Sequence, residues 1–540
     1  MQKYILLGDE AIARAGVDAG ISGMYAYPGT PSTEIMEYVQ LLKNKGEVSI
    51  SCEWSANEKS ALETALGMSY TGKRAMAAMK HVGLNVAADA FINSAITGVN
   101  GGLLVVAADD PSMHSSQNEQ DSRFYGKFAF VPVFEPSGQQ EAYDMVFDAF
   151  ELSEKYSVPV LIRITTRLAH SRAEVTSRRP HPQKQIRLPE DSSRFILMPA
   201  IARKRYKTVL GNYEKLKMEN RLSKYNVFRD GHNRNLGIIA CGLAWNYLME
   251  NFSDEQIPYP VLKISAYPFD KDIIMNITER CREILVLEEG YPFVEEQLRG
   301  ILDDGRRIYG RMDGAIPRDG ELTPDIVAKA LGISTGSGPR VPDLVAPRPP
   351  SFCKGCGHAD MFNAITEAMK PYPFNGVFSD IGCYTLAALP PYSAINSCVD
   401  MGASVTMAVG AADAGLHPSV AVIGDSTFTH SGMTGLLDAV VKNSNVTVII
   451  ADNQTTGMTG GQKSSGTGRL KDICTGLGVD HKHVRTIVPL RKNHEENVRI
   501  IREEIDFQGP SVIIASRECI QTAARRKKSE NKSETEKDQS

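Results

Sequence analysis

Side chains able to hold a cation and phosphates cluster late in this chain. Residues 419–462 read SVAVIGDSTFTHSGMTGLLDAVVKNSNVTVIIADNQTTGMTGGQ. A β-branched run at 420–423 ends through Gly424 in Asp425, and a second at 446–451 ends in Asp452, with Asn453 lying 28 residues after Asp425. Between them Leu436, Leu437, Val440 and Val441 fall on one helical face. The pattern predicts a strand–helix–strand unit of a parallel sheet, whose ligands sit at the carboxyl ends of its strands. Asp425 and Asn453 then emerge at one edge, beside a turn carrying Gly457, Gly460 and Gly461. A carboxylate with an amide oxygen suits a hard divalent ion that keeps water or phosphate oxygens as its other ligands. Backbone amides of the glycine turn and the helix start can hold the phosphates. Gly-Asp alone also fits an ordinary nucleotide-fold strand end whose aspartate caps the next helix.

Sulfur forms a second group. Cys353 and Cys356 make a C-x-x-C in SFCKGCGHADMF; Cys383 lies in SDIGCYT, Cys519 closes SVIIASREC, and Cys398 follows PPYSAINS. C-x-x-C alone fits zinc, thiol redox chemistry or coincidence. Zinc would enlist His358, yet the chain has no second C-x-x-C and no H-x₃₋₅-H pair. A third candidate is Glu58 in WSANEKSALETALG, in the first turn of a helix with Leu62, Ala65 and Leu66 on its apolar face. On its own, Glu58 reads as a solvated helix carboxylate.

The elements that must position these groups form several domains, as 540 residues exceed one ordinary core. Residues 1–178 alternate helices with β runs at 23–27, 75–80, 102–107 and 158–164, a doubly wound α/β pattern. After the first run, YPGTPSTE forces a turn through Pro28, Gly29 and Pro31, with Ser32 or Thr33 capping a helix from Glu34. A long polar loop carries His114, Ser115, Ser116, Gln117 and Asn118. Residues 179–233 are a basic connector and a charged helix without aromatic interleaving, which reads as solvated rather than nucleic-acid-binding. A fresh α/β pattern fills 234–334, with runs at 236–240, 261–264 and 284–287. A Gly/Pro linker (335–350) separates it from a last domain at 351–520, and the charged tail 521–540 is expected to be disordered.

Composition narrows the class. Apolar content of 42%, charge of 23% and a net charge of −4 describe a soluble globular protein with no call for nucleic acid or a membrane surface. No apolar run is long enough to span a bilayer. The N-terminal MQKYILLGDEAIARAG has helical periodicity without a signal peptide's apolar core. Nine scattered cysteines argue against a disulfide framework. A cytoplasmic location is expected. The absence of G-x-G-x-x-G between a strand and a helix counts against an NAD-linked protein.

Gly-Asp followed by Asn a little under thirty residues on resembles the metal–diphosphate signature of thiamine diphosphate (ThDP) enzymes. GDSTFTHSG and MTGGQ, with KHVGLNVAADAF (80–91) and the stretch 108–144, resemble the 2-oxoacid:ferredoxin oxidoreductases, above all the α subunit of the indolepyruvate enzymes. The resemblance implies two doubly wound ThDP domains, pyrimidine-binding (1–178) and diphosphate-binding (351–520), with a transketolase C-terminal-like domain at 234–334. It implies Mg²⁺ on Asp425, Asn453 and Thr455, and cofactor contacts from Gly424, Asp425, Ser426, Asn453, Thr459 and Gly460. Glu58, of this or a second copy, would meet the aminopyrimidine N1′ of the same molecule, a proton exchange that suits a buried carboxyl group. Thr30 would contact the substrate carboxylate. Cys353, Cys356, Cys383 and Cys519 match the order of cysteines that hold a [4Fe–4S] cluster beside ThDP.

The implied activity is oxidative decarboxylation of a 2-oxoacid, an arylpyruvate such as indolepyruvate, to acyl-CoA and CO₂. Coenzyme A is the co-substrate, and electrons pass through the cluster to ferredoxin or another carrier. The implied partner is a small β-type subunit, in a dimer of heterodimers. Two departures bear on electron exit and substrate. The relatives' C-terminal ferredoxin-like domain has no counterpart here, and GCGH stands where GCPHR is usual. A non-oxidative ThDP decarboxylase and a non-catalytic ThDP-binding scaffold are the alternatives.

Overall fold

Short β-branched runs alternating with amphipathic helices bury both faces of a sheet, and that favours parallel strands joined by helical crossovers. The computed structural model describes residues 2–191, 194–252, 257–301, 307–336, 338, 341–346, 350–373 and 375–537. It has the expected α/β class. The chain divides into two compact units, 1–339 and 340–540. Residues 337, 339, 340 and 347–349 of the predicted linker lie outside the described residues. Among the described residues no helix is long and apolar enough to cross a membrane.

In the first unit a seven-stranded sheet runs in the order Ala266–Tyr267, Val133–Phe134, Val160–Thr165, Leu103–Asp109, Ala75–Lys80, Gly23–Ala26, Ser51–Trp54. Every pairing is parallel except the first. All residues of its three central strands are buried, as expected when helices cover both faces. A second sheet runs Arg307–Tyr309, Glu283–Leu287, Leu236–Cys241, Val261–Ile264, Val227–Arg229. The stretch expected as a separate domain therefore lends Ala266–Tyr267 to the first sheet. Between the sheets a buried ionic network joins them. Arg163 Nε meets Asp109 Oδ2 at 2.5 Å, Arg123 Nη2 meets Asp121 Oδ2 at 2.5 Å, and Arg123 Nη1 meets Glu288 Oε2 at 2.9 Å. The connector helix Pro199–Arg221 buries only Val209, Leu216 and Asn220.

Three local expectations give way in this unit. Lys3–Leu7 is a strand, not the start of a helix. It pairs antiparallel with Arg172–Thr176, and the helix begins at Gly8. A partner so distant in sequence leaves no trace in local periodicity. Two further strands were not expected: Val133–Phe134 has only two residues, and Ser51–Trp54 (SCEW) has no β-branched residue to mark it. Ser32 is the N-cap, but of a helix that starts at Thr33 rather than Glu34, and its side chain makes no capping bond: Ser32 Oγ donates to Gly29 O at 2.7 Å, and Thr33 Oγ1 accepts from Gly29 N at 3.1 Å.

The second unit holds a fully parallel six-stranded sheet, ordered Ser397–Cys398, Gly376–Ser379, Ser419–Gly424, Thr447–Asp452, Ser511–Ser516, Val484–Ile487. Its helix Met433–Lys442 buries Gly435, Leu436 and Ala439, whereas Leu437 is 44% and Val441 77% exposed. The buried face is turned from the predicted one because the neighbouring helix Ala403–Asp413 packs against Gly435, where a Cβ would stand 3.2 Å from that of Val405. The tail 521–540, expected to be disordered, is instead helical over Ile520–Lys537, and 538–540 lie outside the described residues. Its Ala, Arg, Lys and Glu content favours helix, and Ala523 N bonded to Cys519 O at 2.9 Å starts it on the folded domain.

Candidate active site

The parallel register sets Gly424 opposite Ala451, so the turn after Ser419–Gly424 and the loop after Thr447–Asp452 lie side by side. Asp425 opens a single turn, Asp425–Thr427, that runs into a π-turn at Phe428–Gly432, a feature common at functional sites. Asp425 is 2% exposed, and its Oδ2 has no hydrogen-bond partner among the described residues. Burial, aided by the charge of Asp452 and opposed by a hydrogen bond from Ser464, pushes this carboxyl up to about 7. A buried, unpaired carboxylate oxygen is costly until a proton or cation meets it.

Asn453 Oδ1 accepts from Thr455 N at 3.1 Å and keeps a second lone pair. Buried Thr455 donates its hydroxyl to Gln462 O at 3.0 Å. Ser426 Oγ lies 3.0 Å from Thr456 Oγ1, tying the turn to the loop. The loop then passes through Gly457–Thr459 to Gly460 and Gly461, with φ of +127° and +94° that glycine adopts without strain. Thr459 Oγ1 donates to Gln462 Oε1 at 2.7 Å, and Arg525 Nη1 donates to Gly460 O at 2.6 Å. At Gly424 a Cβ would stand 2.7 Å from the Tyr384 ring, so this close approach requires glycine. Carboxylate, amide and hydroxyl oxygens around one loop are the donors a hard dication takes.

Cys353, Cys356, Cys383 and Cys519 all line one cavity of about 210 Å³, whose walls include Asn453 and Gly457. Burial and the neighbouring sulfurs of Cys356, Cys519 and Cys353 push the Cys383 thiol up to about 11. Cys356 is the N-cap of helix Gly357–Met369; burial raises its thiol, while the amides of His358 and Ala359 bond its sulfur and oppose that rise. Four thiols around one space form the donor set of an iron–sulfur cubane. Cys398 is apart from them, with Sγ 3.7 Å from Asp380 O.

In the first unit Thr30 and Glu58 follow neighbouring parallel strands, Gly23–Ala26 and Ser51–Trp54, and Lys80 ends the next strand. Glu58 is buried at the start of helix Glu58–Tyr70, where Asn57 Oδ1 caps by accepting from Ser60 N at 2.8 Å. Gly83 packs on it so closely that a Cβ there would stand 2.6 Å from Glu58 Oε1. Thr30 O accepts from Ser115 Oγ at 3.2 Å.

Two family profiles match this chain. "Pyruvate flavodoxin/ferredoxin oxidoreductase, thiamine diP-bdg" covers residues 14–222, and "Thiamine pyrophosphate enzyme, C-terminal TPP binding domain" covers 380–515. The chain is 39% identical to indolepyruvate oxidoreductase subunit IorA of Archaeoglobus fulgidus, over 98% of this chain and 89% of that protein. Against IorA of Methanothermobacter thermautotrophicus identity is 36%, over 96% and 87%. Against IorA of Thermococcus kodakarensis it is 37%, over 96% and 86%. The chain belongs to the 2-oxoacid:ferredoxin oxidoreductase family. It is an oxidoreductase subunit of that family, with thiamine-diphosphate-binding domains in both units.

Two polar residues beside these candidates in the oxidoreductase, Lys80 and Asp380, escaped the sequence reading, and His358 entered it only as a possible zinc ligand. Lys80 donates to Ser115 O at 2.7 Å and Oγ at 3.1 Å; burial pushes its ammonium down to about 8, against the pull of Asp110 at 3.9 Å. Its signal was a lysine closing the otherwise apolar AMAAMK. Asp380, pushed up to about 6 by burial, accepts from Ser404 Oγ at 2.6 Å, Gly402 N at 3.2 Å and the Tyr384 hydroxyl, fixing the turn that carries Cys383. His358 lines the cysteine cavity with both ring nitrogens unpartnered among the described residues, and burial lowers it to about 4, leaving it neutral.

Proposed function

We propose that this chain is the ThDP-dependent catalytic subunit of a cytoplasmic oxidoreductase that decarboxylates a 2-oxoacid, an arylpyruvate such as indolepyruvate, to acyl-CoA and CO₂. Two electrons leave one at a time through a [4Fe–4S] cluster to ferredoxin or a similar carrier. The observation that carries the reading is the meeting of four cysteines on a cavity walled by Asn453 and Gly457.

When bound, ThDP supplies the electron sink for the pair left by departing CO₂. The chain's residues bind and orient. Asp425, Asn453 and Thr455 hold Mg²⁺, and the unpartnered Oδ2 of Asp425 supports that role. Gly424, Ser426, Thr459 and Gly460 surround the diphosphate. Glu58 exchanges a proton with the aminopyrimidine N1′. Thr30 takes the 2-oxoacid carboxylate. The relatives are named as subunits, which supports a multi-subunit complex; the partner read here is a small β-type subunit, in a dimer of heterodimers.

The test is dye reduction by the anaerobically purified complex. The reading expects a rate that requires indolepyruvate, ThDP and coenzyme A and yields acyl-CoA, and a fall of about 100-fold or more in kcat for Glu58→Gln with iron and sulfide unchanged. Aldehyde release without dye reduction would favour a non-oxidative decarboxylase. An undiminished rate in Glu58→Gln would leave a scaffold.

A further inference from the structure

A second group of metal-ligating side chains lies in the first unit and takes no part in the proposed reaction. Asp9 is in the first turn of helix Gly8–Asp18, Glu34 in the first turn of helix Thr33–Asn44, and His170 is the last residue of helix Thr166–His170. One donor atom from each lies within 4.8 Å of the others, and His170 Nε2 stands 3.6 Å from Glu34 Oε2. Asp9 is 0% exposed, and neither of its carboxylate oxygens has a hydrogen-bond partner among the described residues; nor has Glu34 Oε2. No lysine or arginine among the described residues forms an ion pair with Asp9 or Glu34. Burial, with the charges of Glu34 and Glu10, holds the Asp9 carboxyl well above the usual carboxylate range. Glu10 is engaged elsewhere, accepting from Leu7 N at 2.8 Å.

The scaffold is firm. Gly8 lies so close to Leu168 that a Cβ would stand 2.3 Å from its carbonyl oxygen, so the segments bearing Asp9 and His170 are in direct main-chain contact. Glu34 and His170 already pair, which lowers the Glu34 carboxyl and raises the His170 imidazole; the group left uncompensated is Asp9, whose burial as a carboxylate is costly unless a proton or a metal ion meets it. Donor atoms sharing one ion at about 2.0–2.2 Å lie roughly 3–4 Å apart, a spacing that small shifts of Glu34 and His170 reach. Both side chains are 36% exposed, which leaves room for those shifts and for water as further ligands. Two carboxylates with one imidazole form a mixed oxygen–nitrogen set, matched in charge and softness to a first-row dication.

We propose that Asp9, Glu34 and His170 bind a first-row divalent cation such as Zn²⁺, which pins the start of the helix that follows the Thr30 turn to the segment ending at His170. The purified complex is treated with a mild chelator that leaves its iron and sulfide intact, then given Zn²⁺. Bound zinc and the unfolding temperature are compared for wild type, Asp9→Asn and His170→Gln; zinc held by cysteines is common to all three and cancels. The wild type is expected to keep about one equivalent more zinc than either variant, and to be the only one whose unfolding temperature rises on zinc addition. The half-exposed His170→Gln keeps the comparison open if Asp9→Asn does not fold. Equal zinc and equal shifts in all the proteins that fold would overturn the proposal and leave Asp9 a protonated buried acid.

Discussion

The main-chain amide of Cys519 donates to the carbonyl of Asn453 at 3.1 Å. The last of the four cysteines and the amide assigned to the metal thus share one hydrogen-bonded stretch of backbone. Gly457 of the same loop would place a Cβ 3.2 Å from Cys383 Sγ. A cluster in the cysteine cavity would therefore sit against the loop proposed to hold the diphosphate. Cys383→Ala is expected to remove most iron and acid-labile sulfide from anaerobically purified protein. Cys398→Ala should leave both in place, because its sulfur faces Asp380 O at 3.7 Å and not the cavity. Full iron content in Cys383→Ala would sink the four-cysteine assignment.

Gly83 tests Glu58 without touching it chemically. Its φ lies outside the left-handed region, so alanine suits the backbone, but the added methyl meets Glu58 Cγ and Oε1, each at 2.6 Å. The carboxyl must move. Gly83→Ala is expected to lower kcat by about 100-fold or more, the loss given for a displaced general acid–base group. Circular dichroism should show the fold retained. A wild-type rate would remove Glu58 from the reaction.

Thr30 separates binding from turnover. If its hydroxyl meets the substrate carboxylate, Thr30→Val loses a hydrogen bond to a charged group, about 1.5–3 kcal/mol. KM for the 2-oxoacid should rise by about ten-fold or more while kcat changes little. Steady-state kinetics across 2-oxoacid concentration decide the point; an unchanged KM removes Thr30 from the substrate site.

Stability of the first unit should depend on pH through Glu289. Burial pushes this carboxyl up to about 7, against the pull of Arg163 and a hydrogen bond from Thr165 Oγ1 at 3.0 Å. A folded-state pKa above the unfolded value means that the native state binds the extra proton. Stability is then greatest at acidic pH and falls as pH rises from about 4.5 to about 7, by up to about 1.4 kcal/mol per unit for one linked proton. Glu289→Gln mimics the neutral acid. It should match wild type below about pH 4.5 and exceed it at pH 8 in thermal unfolding, and parallel curves for the two proteins would count against a protonated Glu289.

Local sequence determined the α/β class, the strand 75–80 and the positions of Asp425 and Asn453 just after two adjacent strands, because β-branched runs and glycine turns act over a few residues. It also supplied the C-x-x-C and the order of the remaining cysteines. Other features depend on which strand lies beside which. The Lys3–Leu7 strand exists only through Arg172–Thr176, and the buried face of Met433–Lys442 was set by its neighbour at Gly435. The convergence of Cys383 and Cys519 with the C-x-x-C, the closeness of Gly83 to Glu58, and the gathering of Asp9, Glu34 and His170 all follow from strand order and helix packing. Contacts between residues far apart in the chain leave no periodic trace in it, so only the tertiary structure decided them.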